Sequence, residues 1–125
     1  MRRLRVELFV RDLTAATDFY TRILGFQKCK DTDDYVSVSH GSVVIGLGPM
    51  DKLPPTHPLC RQAHDERTGV GVELVCEVDD LEAFYNQVAQ TGYPIFEPLQ
   101  KRSWGATDFR MIDPDGYYIR ITQAH

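Results

Sequence analysis

Two stretches decide how this chain is read: "VELFVRDLTAATDFYTRILGF", Val6 to Phe26, and "VELVCEVDDLEAFYNQVAQTGY", Val72 to Tyr93. In each, an alternating apolar/polar run ends at Asp-Leu (Asp12-Leu13, Asp80-Leu81), a helical pattern follows, and Gly25 or Gly92 stops it before an aromatic residue. The acid can accept free backbone N–H groups at a helix start, and glycine suits the left-handed residue past the last turn. The helical parts carry matching apolar stripes, Ala16, Phe19, Tyr20, Ile23 and Leu81, Phe84, Tyr85, Val88, both at i, i+3, i+4, i+7. Each stripe needs a sheet to cover.

The strands that follow supply it: "FQKCK", "YVSVSH" and "SVVIGL" in the first half, "PIFEPL", "TDFRMI" and "YYIRIT" in the second. The expected fold is therefore α+β, two tandem βαβββ modules over about 3–48 and 70–123 that form a curved mixed sheet around a groove. A connection rich in Pro and polar residues, about 49–69, joins them within one domain. Because successive strand side chains alternate, parity sorts residues onto two faces. Leu4, Val6, Leu8, Val10 and Val72, Leu74, Cys76, Val78 face the helices, as do Phe109, Met111, Ile119 and Ile121 of the last hairpin. The other face holds Arg5, Glu7, Phe9, Glu73, Val75, Glu77, and then Trp104, Asp108, Arg110, Tyr118, Arg120 and Thr122. If each sheet curls, these mixed faces line the groove.

With 125 residues, 42% of them hydrophobic and 26% charged, the chain can build one core and shows no sign of disorder. Its 18 acids against 14 bases give a formal charge of -4 without a dense basic run, which argues against a nucleic-acid partner. The opening "MRRLRVELFV" is interrupted by Arg5 and Glu7 too early for a signal peptide, and no segment is apolar enough to span a bilayer, so a cytoplasmic protein without membrane contact is expected. Cys29, Cys60 and Cys76 lie far apart and form no C-x-x-C pair, which suggests neither a disulfide framework nor a thiolate metal site. His57, Cys60 and His64 have a metal-like spacing but lie in the connection with no fourth ligand, and read as loop residues. Asp113-Pro114-Asp115-Gly116 reads as a turn, with Pro114 fixing φ and Gly116 taking a positive φ.

The two quoted stretches and the ending "WGATDFRMIDPDGYYIRI" resemble the vicinal oxygen chelate superfamily, which includes glyoxalase I, extradiol dioxygenases and the fosfomycin- and bleomycin-resistance proteins. The ending resembles the bleomycin-resistance branch most, where W-G, a strand aromatic and D-P-x-G recur in that order. The resemblance reaches from Arg3 to Thr122 and implies the two-module fold and a two-fold homodimer. In metal-using members it implies ligands on the first, fourth, fifth and eighth strands. Counted from D-L and D-P-x-G, those places hold Arg5, Gly46, Glu73 and Arg120. Only Glu73 can ligate, since arginine offers no lone pair and glycine no side chain, so no metal and no other cofactor is expected. A shift along the strands that keeps the same face would bring in Glu7 and Glu77, which keeps open a divalent-metal lyase or dioxygenase.

The function the resemblance implies without metal is small-molecule binding, with an antibiotic-like or other amphoteric ligand sequestered in the groove. Phe9 and Trp104 would supply flat apolar surface. Arg5, Glu7, Glu73, Asp108, Arg110, Tyr118 and Arg120 would supply polar groups, and Gly46 would leave space for the ligand. No nucleophile or general base stands out, so no catalytic residue is assigned.

Overall fold

The computed structural model describes residues 2–60 and 67–125. The chain divides into two compact units, Met1–Glu66 and Arg67–His125. The first holds β1 (Val6–Val10), α1 (Leu13–Asp18) running into a π-helical turn (Phe19–Ile23), β2 (Gln27–Thr32), β3 (Tyr35–His40) and β4 (Val43–Pro49). The second holds β5 (Glu73–Val78), α2 (Leu81–Gln90), β6 (Glu97–Lys101), β7 (Thr107–Ile112) and β8 (Tyr118–Gln123). Their sheets have the same order, β1-β4-β3-β2 and β5-β8-β7-β6. In each the first strand pairs parallel with the last and the remaining pairs are antiparallel. The fold is the α+β, twice-written βαβββ arrangement that the repeat predicts.

The repeat works through its caps. Asp12 Oδ1 accepts from the Ala15 N–H and Asp80 Oδ1 from the Ala83 N–H, each at 3.1 Å, which satisfies donors that the first helical turn leaves free. Gly25 and Gly92 take φ of +78° and +80°, a conformation that side-chain-bearing residues rarely adopt. Ala16, Phe19, Tyr20 and Ile23 are all buried, although the last turn of that helix is widened by a bond from Leu24 N to Phe19 O. In the second unit Leu81 and Val88 are buried, and the rings of Phe84 and Tyr85 pack 6.3 and 4.9 Å from that of Phe109. Phe109, Met111, Ile119 and Ile121 are at most 2% exposed, as the parity of the last hairpin requires.

Three expectations are corrected. Leu4 and Val72 do not reach the core: they are 91% and 54% exposed, because β1 starts at Val6 and β5 at Glu73 and the alternation ahead of each strand is not followed by pairing. Leu74, Cys76 and Val78 are only half-buried. The strand read from "PIFEPL" starts three residues later, at Glu97. Pro94 has no N–H to give a ladder, while Pro98 is tolerated because β6 is an edge strand with an irregular register between Glu97 and Gln100.

The Asp113–Gly116 turn forms as read, with Gly116 at φ +101°. The Asp113 carboxylate accepts from the N–H groups of Asp115 and Tyr117, both at 2.9 Å, so the turn is locked from inside. No helix among the described residues is long and apolar enough to cross a membrane. Part of the expected connection, residues 61–66, lies outside the described residues.

Candidate functional site

The mixed face of the first unit is organised by a glycine. Glu7 on β1 pairs with Gly46 on β4, which in turn pairs with Ser37 on β3, so all three positions share a face with Tyr35. A Cβ at Gly46 would overlap Glu7 Oε2 and the Tyr35 hydroxyl. The absent side chain is thus the room in which those two groups meet. Tyr35 donates to the Glu7 carboxylate, with its hydroxyl 3.1 Å from both oxygens, and Arg5 Nη2 lies 3.2 Å from Oε1. Burial first, and then the bond to Glu7, raise the Tyr35 hydroxyl above its ordinary value. The Phe9 ring, half-buried, lies alongside Gly48.

The mixed face of the second unit is a lattice of ion pairs centred on a carboxylate with no solvent exposure, Asp108. Arg102 Nε donates to Asp108 Oδ1 at 2.8 Å, while Arg110 reaches Oδ1 and Oδ2 at 3.4 and 3.3 Å. Burial alone would raise this carboxyl, but hydrogen bonds from Arg102 and Arg110 outweigh it and hold it below its ordinary value. Arg102 Nη2 also lies 2.7 Å from Glu97 Oε2 and 2.8 Å from Asp108 Oδ1, in ionic contact without a well-aligned hydrogen bond to either. Glu73 is held on the other side by Arg120 at 3.1 Å and Arg110 at 3.7 Å. Arg110 Nη1 donates to the Tyr118 hydroxyl at 3.2 Å, and this bond leads the causes that raise the Arg110 guanidinium further. The buried Nε of Arg120 has no acceptor among the described residues.

Of the ten residues singled out from the sequence, Arg5, Glu7, Phe9 and Gly46 thus come together in the first unit, and Glu73, Asp108, Arg110, Tyr118 and Arg120 in the second. Trp104 does not join them on a strand. It sits in the turn closed by Arg102 N to Ala106 O and is 64% exposed. Four contributors escaped the sequence reading: Tyr35, Phe96, Glu97 and Arg102. Tyr35 had a signal, since it alternates with the core residues Val36 and Val38. Arg102 and Glu97 had none, because Glu97 stands beside the irregular register of β6 and Arg102 lies past the strand's last residue. His64 lies outside the described residues, so the His57-Cys60-His64 spacing finds no structural test, and His57 Nδ1 accepts from the Leu59 N–H as a turn residue does.

The residues at the four places where metal-using relatives would carry ligands do not fit a divalent cation. Arg5 and Arg120 would repel it, Gly46 offers nothing, and the Glu73 carboxylate is already shared by two guanidiniums. Among the described residues, no three His, Cys, Asp or Glu side chains are grouped to hold a metal.

At the end of the second face farthest along β7 lies an open hollow of about 400 Å³ lined by Tyr93, Pro94, Phe96, Ile112 and Pro114. The Tyr93 hydroxyl donates to Ile112 O at 2.6 Å and is pushed up to about 12 by burial and then by the charges of Asp113 and Asp115.

A duplicated βαβββ module with a charged and aromatic sheet face in each copy defines a class of small two-module proteins. Within it, the chain belongs to the Glyoxalase/Bleomycin resistance protein/Dioxygenase superfamily, whose family model matches residues 2–121. No curated protein matches the chain in sequence. Among solved structures it is similar to a protein of unknown function from Agrobacterium tumefaciens str. C58, at 25% identity over 100% of this chain and 95% of that one, with a TM-score of 0.80. It is also similar to TioX from Micromonospora sp. ML1, at 20% identity over 98% of each chain and a TM-score of 0.75. A lactoylglutathione lyase from Agrobacterium tumefaciens is 15% identical over 98% of this chain and 93% of that one, with a TM-score of 0.74. At the identities of these last two, the likeness speaks for the fold alone.

Proposed function

We propose that the protein is a metal-independent small-molecule-binding protein of the bleomycin-resistance type, a cytoplasmic homodimer that sequesters an antibiotic-like or other amphoteric ligand on its mixed sheet faces. One observation carries this reading. The four places that would hold metal ligands are occupied by Arg5, Gly46, Glu73 and Arg120, of which Arg5 pairs with Glu7 and Arg120 with Glu73 within their own units, while Gly46 brings no side chain. Lewis-acid chemistry on vicinal oxygens requires a bound cation. Binding requires instead flat apolar groups and placed charges, and each unit's face carries its own set: Phe9 with Arg5 and Glu7 in the first, Tyr118 with Arg110 and Glu73 in the second. The balanced charge of the second face, with Arg102, Arg110 and Arg120 against Glu73, Glu97 and Asp108, suits a ligand of mixed polarity better than a strongly charged one.

The test is elemental analysis of the purified protein before and after equilibrium dialysis against Zn²⁺, Ni²⁺, Mn²⁺ and anaerobic Fe²⁺. The expected result is no near-stoichiometric retention of any of them. Retention of one metal per chain would overturn the reading and put the lyase or dioxygenase first, with Glu73, Glu7 and Glu77 as the carboxylates to replace.

A further inference from the structure

We propose that the hollow lined by Tyr93, Pro94, Phe96, Ile112 and Pro114 is the site for an aromatic ring, and that the hydroxyl of Tyr118, whose ring packs edge-on against Phe96, donates a hydrogen bond to an oxygen on that ring's substituent. The inference rests on the small-molecule reading above and gives its ligand a chemical class: a small aromatic molecule with an oxygen acceptor, such as an aryl amide or carboxylate. The hollow's volume of about 400 Å³ lies within the range of small-molecule pockets, and its walls are two aromatic rings, two prolines and an isoleucine. Phe96 is 55% exposed, which for so large an apolar ring leaves a face free to be covered.

The polar border follows from register. Tyr118 pairs with Ile112 across the β7–β8 ladder, and its ring stands edge-on to Phe96 with centroids 5.9 Å apart, so it joins the apolar hollow to the charged lattice. Its hydroxyl oxygen accepts from Arg110, and no acceptor among the described residues takes its proton. Next along β8, the Arg120 Nε also lacks an acceptor. Arg110 makes three hydrogen bonds, two to Asp108 and one to Tyr118, and has a further ionic contact with Glu73. The Tyr118 hydroxyl proton and the Arg120 Nε are thus donors without an acceptor, and a ligand that brings one satisfies a group that is otherwise unpaired. A hollow in the first unit, between α1 and the β2–β3 hairpin, is polar instead: its Lys28 and Asp31 are paired with each other, and its Thr17 and Thr21 hydroxyls donate to backbone carbonyls.

The experiment titrates ¹⁵N-labelled protein with benzamide, benzoate and benzylammonium and follows the amide resonances. Benzamide and benzoate are expected to give saturable shifts at Phe96, Ile112, Gly116 and Tyr118, and benzylammonium, whose head has no acceptor, to bind at least about fivefold more weakly, the worth of one hydrogen bond. Tyr118→Phe keeps the ring and removes the donor, and should weaken benzamide by about fivefold while leaving benzylammonium unchanged. Phe96→Ala, at an exposed position that leaves folding intact, should abolish binding of all three. Equal or tighter binding of benzylammonium would show that Glu73 reads the ligand's head and would overturn the acceptor assignment. Saturable shifts confined to other residues would overturn the hollow yet leave the binding-protein reading standing. Metal retention, measured separately, strikes that reading alone.

Discussion

At Gly46 the missing side chain has a structural meaning of its own. Glu7 and Tyr35 meet where its Cβ would be, so Gly46→Ala must drive the carboxylate or the phenol outward. Both intruding groups are ends of flexible, partly exposed side chains, and the backbone has no reason to move. The cost is therefore the lost hydrogen bonding, about 1 kcal/mol. Urea denaturation should show that loss for Gly46→Ala and a similar one for Tyr35→Phe. Because both remove the same interaction, the double variant should cost little more than either single one. Additive losses would mean that the glycine is needed for something other than the Glu7–Tyr35 meeting. The same cluster bears on the metal question, since the carboxylate two residues from Arg5 is turned into this pocket by bonds to a phenol and a guanidinium.

At the scale of elements, the β7–β8 hairpin carries both the core of the second unit and its charged lattice, one on each parity. Asp108 is the point on which the lattice turns. Asp108→Ala leaves Arg102 and Arg110 without their shared carboxylate. The network lies shallowly at a sheet face, so the expected loss is about 2 kcal/mol, less than for a deep ion pair. The pH dependence has a definite sign. The folded-state carboxyl is held below its ordinary value of 3.8, so its contribution is fully present above that value and is lost as pH falls through the lower folded one. The wild type should lose stability through this acid range, and Asp108→Asn, which cannot titrate, should show a shallower acid limb in thermal melts. An unchanged limb would place the acid sensitivity elsewhere. The caps, stripes and last-hairpin core were legible in the sequence because each follows from a local period or from a single residue's conformational preference. The ion-pair lattice was legible only in part. Parity put Asp108, Arg110 and Arg120 on one face, but it described them as open to a ligand, and it could not foresee Arg102 folding over Asp108 from outside the regular ladder. Trp104 lies beyond the reach of that rule, in the turn ahead of β7, where alternation no longer fixes direction.

For the whole molecule the telling feature is apolar surface that the chain leaves uncovered. Val70, Val72 and Val75, at 75%, 54% and 47% exposure, run into and along β5, an edge strand of the second sheet. Leu4, just ahead of the edge strand β1, is exposed as well. Unprotected edges with apolar side chains invite pairing with another chain, and proteins that stay monomeric usually blunt them with charge or proline. Here β5 carries Glu73 and Glu77 and β1 carries Glu7 beside their apolar residues, but no proline interrupts either strand, which suits a surface that is covered in a specific assembly. The expectation is a homodimer, in which a second copy covers these valines through a closed two-fold contact. Light scattering across a range of concentrations should give twice the chain mass of 14.3 kDa. Val72→Glu combined with Val75→Glu places like charges at the contact without touching the buried core, and should bring the mass down to that of one chain while the circular dichroism spectrum is kept. A wild-type protein that runs at 14.3 kDa at every concentration would show that these valines face solvent in the functional state.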